Sequence, residues 1–260
     1  MKIYQVDAFT EKLFSGNPAA VCPLSGGDWP DEELMQNIAL ENNLAETAFY
    51  IHKDGRCHIR WFTPCVEVDL CGHATLAAAF VLFLHENHKG DKITFESRSG
   101  RLTVRKNGDS FTMDFPADVI EKVSPSDELL SCFNMTPLEA YKGKTDYMLV
   151  FGKEEDVIGI EYDLDKISRI KARGIIITAP GRNSDFVSRF FAPQAGVNED
   201  PVTGSAHTTL TPYWSRKLNK TELSAIQLSK RKGWLKCVDK NGRIEITGKA
   251  RLYMIGSLCA

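Results

Sequence analysis

The chain has 260 residues, 43% of them apolar and 25% charged, with a net charge of −2. These values sit at the average for globular proteins, which excludes a disordered or fibrous chain and leaves room for one large or two ordinary domains. Mixed charge along the whole length announces no nucleic-acid or membrane surface, and seven cysteines without a C-x-x-C pair fit a reducing, cytoplasmic compartment rather than a disulfide framework.

Residues 2–8 alternate like a strand, and Asp7 falls where an export signal would need its apolar core. A helix is expected from about Asp31 to Asn42, with Asp28 as its N-cap and Leu34 and Ile38 on one face. Period-two stretches at 46–51, 57–62, 93–97, 101–105 and 110–115 read as strands. Between the second and third of these, Ala74–Leu84 is apolar all round, which suits a helix buried inside a curved sheet. Its longest apolar run, nine residues from Leu76 to Leu84, is too short to span a bilayer. Further strands are expected at 146–151, 174–179, 187–191, 226–229, 234–238 and 243–247, with a second helix after Gly204. Asn107-Gly108 and Asn241-Gly242 fall at hairpin positions, where an αL-tolerant residue followed by glycine suits a tight turn. The alternation stops between Pro116 and Pro125, which places the join there. The expected domains are 1–117 and 118–260, with the last strand free to pack back on the first domain.

The same residues occur twice in the same order. Arg60, Phe62, Pro64, Gly72 and Ala74 recur as Arg189, Phe191, Pro193, Gly204 and Ala206; Arg98, Gly100, Leu102, Asn107 and Gly108 recur as Arg231, Gly233, Leu235, Asn241 and Gly242. The separation grows from 129 positions at the arginine to 132 at the helix glycine and 134 at the last glycine. That period is far longer than a solenoid repeat, so each copy should own a core. The expected fold is therefore α+β, two similar domains, each a barrel-like, mostly antiparallel sheet around a central helix. The copies differ after the glycine, Gly72-His73 against Gly204-Ser205, and the second carries Glu199-Asp200 as an acidic insertion.

Each copy runs from a strand through a short turn to a glycine that opens a helix, whose first N–H groups lack intrahelical partners and carry the positive end of the dipole. Two such ends facing one cleft would hold a small carboxylic acid and stabilise negative charge developing on it. The plainer explanation, that both glycines only let helix and strand pack closely, weighs less once the arrangement is duplicated. His73, at the start of the first helix, is expected to be neutral because the dipole disfavours its protonated form. Asp200, the pre-proline residue before the second helix, is either a site carboxylate or that helix's cap. Glu46 is a carboxylate on an otherwise apolar strand start, either a general acid–base or a residue at a sheet edge. His85-Glu86-Asn87-His88 is one residue short of the H-E-x-x-H zinc motif, and no ligand cluster or phosphate-cradling loop stands out, so no metal or cofactor is expected.

Four motifs in order, Ser15-Gly16-Asn17-Pro18-Ala19-Ala20-Val21, Glu46-Thr47-Ala48-Phe49, Asp69-Leu70-Cys71-Gly72-His73-Ala74-Thr75 and Glu199-Asp200-Pro201-Val202-Thr203-Gly204-Ser205-Ala206-His207, resemble the PhzF family, which shares the diaminopimelate epimerase fold. The resemblance covers essentially the whole chain. It implies two similar domains, an active site between them and no cofactor. It makes Glu46 the residue that takes a proton from carbon and returns it elsewhere, with His73, Asp200 and Ser205 as polar helpers. Gly72 and Gly204 match backbone donors, and Asn17, Cys71 and Thr203 join them as substrate-binding residues. The related epimerases use two cysteines, one before each helix; this chain keeps Cys71 but has Thr203 at the second position, which disfavours two-thiol racemisation and leaves Cys71 as a remnant or a small buried hydrophobe.

The leading reading is a cofactor-independent isomerase that moves a proton within a small unsaturated or amino carboxylic acid. Its partners would be that acid and, at most, a second copy in a homodimer. The alternatives are an amino-acid epimerase, which would wash deuterium into the α-carbon, and a nonenzymatic small-acid binding protein.

Overall fold

In the computed structural model, which describes residues 1–259, the first part of the chain forms β1 (Lys2–Ala8), β2 (Asn17–Leu24), α1 (Glu32–Asn42), β3 (Glu46–Lys53), β4 (Arg56–Phe62), β5 (Glu67–Val68), α2 (Gly72–Leu84), β6 (Lys92–Ser97), β7 (Gly100–Asn107) and β8 (Ser110–Pro116). The chain divides into two units, Met1–Asp114 with everything from Thr247 onward, and Phe115–Ile246.

The strands of the first unit close on themselves. The last strand, Arg243–Ser257, neighbours both β8 and β1, and the ring between them runs β1-β2-β3-β4-β6-β7-β8. From β1 to β8, neighbours are antiparallel except β2–β3 and β4–β6. Eight strands leave an interior that side chains can fill. Here α2 fills it: every residue from Gly72 to Phe83 is buried, and its alanines (74, 77, 78 and 79) keep it slim. Alternation along the strands separates two faces. Phe49 of β3 packs with Met35, Ile38 and Ala39 of α1, whereas Glu46 of the same strand meets His73 of α2. The first helix starts at Glu32 with Asp31 at its N-cap; Asp28, expected there, pairs instead with Lys53 at 2.9 Å. Strand β2 escapes a period-two reading because it runs parallel to β3 with Ala19–Cys22 all buried and prolines at 18 and 23.

The second unit comprises β9 (Glu121–Lys122), α3 (Asp127–Leu130), β10 (Glu139–Lys142), β11 (Asp146–Val150), α4 (Glu154–Gly159), α5 (Leu164–Arg169), β12 (Gly174–Pro180), β13 (Phe186–Phe191), α6 (Gly204–Leu218), β14 (Glu222–Gln227), β15 (Gly233–Asp239) and the start of β16 (Arg243–Ser257). Its sheet order is β16-β15-β14-β13-β12-β11-β10-β9, with β11–β12 and β13–β14 parallel. The order β1-β2-α1-β3-β4-α2-β6-β7-β8 of the first unit thus returns as β10-β11-α4/α5-β12-β13-α6-β14-β15-β16, with parallel pairs at the same two steps. Val157 of α4 and Ile167 of α5 pack against Val187 and Phe191 of β13, as α1 does against β3 and β4.

Two strands differ from expectation. The one expected at 226–229 is β14, ending at Gln227, because the small residues Ser224 and Ala225 carry a weak alternation. The last runs ten residues beyond 247, its second half pairing with β1 across a bulge at Gln5 and Val6. Of the two hairpins, Asn241-Gly242 has both φ angles positive, at 56° and 100°. The other turn lies one residue later than expected, at Gly108-Asp109, since Asn107 still pairs with Ser110. Among the described residues, no helix is long and apolar enough to cross a membrane.

Candidate active site

Parallel pairing of β2 with β3 sets Ala19 beside Glu46, so both strands begin next to the N-terminus of α2. Nε2 of His73 lies 3.1 Å from Oε2 of Glu46. On the other side of the ring, Nδ1 is 3.1 Å from Nδ2 of Asn17 and 3.5 Å from Sγ of Cys71. All but Glu46 are buried, and the Glu46 side chain is only 15% exposed. Oε2 of Glu46 and Nε2 of His73 form an ion pair that falls outside hydrogen-bond geometry.

The expectation of a neutral His73 is corrected by this setting. Burial opposes its positive charge, but the Cys71 sulfur and the Glu46 carboxylate outweigh burial and carry the pKa well above the usual imidazole value. A helix end contributes roughly 0.3–1 kcal/mol, and an opposite charge in direct contact exceeds that. The Cys71 pKa also rises: burial, with the Glu46 charge beside it, pushes the thiol up to about 11 and so keeps it neutral.

Glu46, Cys71 and His73 present donor atoms within 4.8 Å of one another. The carboxylate approaches the ring at Nε2 and the sulfur at Nδ1, so the three groups crowd one another at the start of α2.

In the second unit, Thr203 precedes the glycine of α6 as Cys71 precedes that of α2. Its hydroxyl donates to Oδ2 of Asp200 at 2.6 Å, and its N–H donates to Gln227 Oε1 at 2.8 Å, while Nε2 of Gln227 donates back to the Asp200 carbonyl at 2.7 Å. Asp200 is therefore tied to the residue that opens the helix, and Thr203 itself is the N-cap. Ser205 accepts from Nη1 of Arg173 at 2.8 Å, and the same guanidinium grips the buried carboxylate of Asp146 through Nε and Nη2. Sequence reading missed Arg173, Asp146 and Gln227. An aspartate opening the apolar strand DYMLV was the available signal for Asp146; a lone arginine in a loop carries none.

The chain is an enzyme of the isomerase class. A model of the phenazine biosynthesis-like family, PhzC-PhzF, matches residues 6–256, and the chain belongs to that family. It is 50% identical to a protein of Pseudomonas aeruginosa named an uncharacterized isomerase, over 99% of this chain and 98% of that one. A crystal structure of a PhzF family protein from Enterococcus faecalis superposes with a TM-score of 0.94 at 45% identity, covering 98% of this chain and 97% of the other. A probable proline racemase of Agrobacterium radiobacter shares the fold alone, with a TM-score of 0.65 at 9% identity, covering 99% and 92% of the two chains.

Proposed function

We propose that the protein is a cofactor-independent isomerase that moves a proton from one carbon to another within a small unsaturated carboxylic acid. The facing pair Glu46 and His73 carries this reading: a carboxylate and an imidazole whose nearest atoms are buried and 3.1 Å apart, paired by charge but outside hydrogen-bond geometry. An ion pair of that kind leaves directed hydrogen-bonding capacity that a bound acid can use.

In the proposed cycle the Glu46 carboxylate takes a proton from a carbon next to the conjugated system. The C–H electron pair spreads into the double bond and the substrate carboxylate, so the charge that a metal would otherwise stabilise is delocalised. His73 and the N–H groups that open α2 face the developing charge. Glu46, whose carried proton exchanges with solvent between the two steps, then delivers a proton to the far end of the conjugated system and the double bond shifts, with no oxidant, reductant or water consumed. Asn17 and Cys71 hold the His73 ring on its other nitrogen. Asp200, Thr203, Gly204 and Ser205 keep, as part of the proposal, the helper and donor roles that the family pattern gives them.

The test is proton NMR of a panel of small unsaturated and amino carboxylic acids incubated with the protein in D2O. Deuterium entering a carbon position together with a shifted double bond supports the isomerase. Exchange only at an amino-acid α-carbon would favour the epimerase instead, and loss of exchange after dialysis against a strong chelator would contradict cofactor independence.

A further inference from the structure

Arg60 and Arg189 are partners in the repeat, and they share a bidentate carboxylate pair and two ring contacts; Arg60 also donates to Glu32 at 2.7 Å and Arg189 to the Val157 carbonyl at 3.2 Å, and Glu67 takes a second arginine, Arg98, at 2.7 Å. Arg60 donates from Nε and Nη2 to the two carboxylate oxygens of Glu67 at 2.7 and 2.6 Å, and its guanidinium lies over the rings of Phe62 and Trp29 at 5.1 and 5.5 Å. Arg189 donates from Nε and Nη2 to the two oxygens of Glu199 at 2.7 and 3.1 Å, over Phe191 and Tyr162 at 5.0 and 5.1 Å. In both copies one ring lies two residues along the same strand, and the other comes from the segment just ahead of α1 or α5. The arginine side chains are 14% and 10% exposed and the glutamates 7% and 17%. Only a planar fork can stack on rings and bind both carboxylate oxygens at once.

The spacing of these pairs is uneven in an informative way. Glu67 lies five positions before Gly72, and Glu199 lies five before Gly204, yet arginine and glutamate are seven apart in one copy and ten in the other. All three extra residues fall between Arg189 and Glu199, in the stretch holding the short 3-10 turn Pro193–Ala195. Glu199 is therefore no insertion but the counterpart of Glu67. Length varies on the strand side of the pair and is fixed on the helix side. Backbone bonds hold each glutamate segment to its strand: Val68 pairs with Trp61, and Asp200 N–H donates to Phe190 O at 3.0 Å. The fourth residue of each helix then secures the residue before the glycine, as Thr75 Oγ1 donates to Cys71 O at 2.5 Å and His207 Nδ1 donates to Thr203 O at 2.8 Å.

We propose that Glu67 and Glu199, each locked by its stacked arginine, are positioning residues that set where Gly72-His73 and Gly204-Ser205 stand. Glu46 arrives on a separate strand, so the Glu67 clamp controls its distance to His73. The link to a reaction rests on the isomerase reading; the anchoring is measured without any substrate.

The experiment compares the isotope-labelled full chain with Glu67→Gln, Glu199→Gln and Arg60→Lys by NMR, following amide hydrogen exchange and the titration of the His73 ring. Glu67→Gln should speed exchange in residues 68–75 by roughly tenfold or more and leave 200–207 at the wild-type rate. Glu199→Gln should do the reverse. Arg60→Lys, which keeps the charge but loses the fork, should behave like Glu67→Gln. The His73 titration should move toward the ordinary imidazole range in Glu67→Gln and stay put in Glu199→Gln. Uniform acceleration across the whole first unit, unchanged exchange in 68–75, or an unmoved His73 titration overturns the proposal. If exchange behaves as expected while no acid is ever isomerised, the anchoring stands and the isomerase reading fails.

Discussion

The Thr203 hydroxyl donates to the Asp200 carboxylate across 2.6 Å, at the position where the first unit sets the Cys71 sulfur 3.5 Å from Nδ1 of His73. The residues preceding the two helices have thus diverged in partner as well as in kind. Threonine restrains a carboxylate, and cysteine rests against an imidazole. Thr203→Val keeps the volume and removes that bond, so it should lower the unfolding free energy in denaturant by about 1 kcal/mol. An unchanged or higher value would mean that the hydroxyl does not restrain Asp200.

Cys71 should be chemically quiet. It is buried with its thiol pushed up to about 11, whereas Cys65 and Cys259 are exposed. The thiolate is the reactive form, so brief alkylation near neutral pH followed by peptide mass mapping should label Cys65 and Cys259 and leave Cys71 free. Labelling of Cys71 at a rate matching Cys65 would contradict its buried, protonated state.

His207 gives the fold a pH dependence. Burial holds this imidazole down to about 4, despite the bond from Nδ1 to the Thr203 carbonyl. The unfolded chain takes up a proton near pH 6.5, at the ordinary histidine value, so its contribution to stability is complete above that pH and is lost as pH falls toward 4. Between about pH 7 and pH 4.5 the wild type should lose about 2 kcal/mol more unfolding free energy than His207→Gln. Parallel losses in the two proteins would show that His207 is not held neutral.

The duplication was readable because the anchors Arg60, Phe62, Gly72 and Arg189, Phe191, Gly204 keep their order while the residues between them drift. Alternation located most strands, since one face of each is buried against a helix. It could not find β2, whose two faces are both covered, nor the short β9 and β10, where too few residues exist for a period. Glu46, His73 and Cys71 were named from motifs and stand together around one imidazole. The same motifs could not rank the forces on His73, because a helix dipole is visible in sequence and a carboxylate from another strand is not. Glu199 was misread as an insertion for a related reason: the length change and the clamp that fixes the register lie within ten residues of each other, and only the contacts of Arg189 separate them.

The central claim is that Glu46 is the group that moves the proton. With whichever acid gives deuterium exchange in the wild type, Glu46→Gln, which keeps the shape and removes the ionisable group, should lower turnover by roughly 10²–10⁴-fold. Solvent deuterium should stop entering the bound acid at any measurable rate. Affinity for the acid should change far less, because the proposal places its carboxylate on helix-end amides rather than on this side chain. A Glu46→Gln protein that isomerises and exchanges at the wild-type rate would contradict the account.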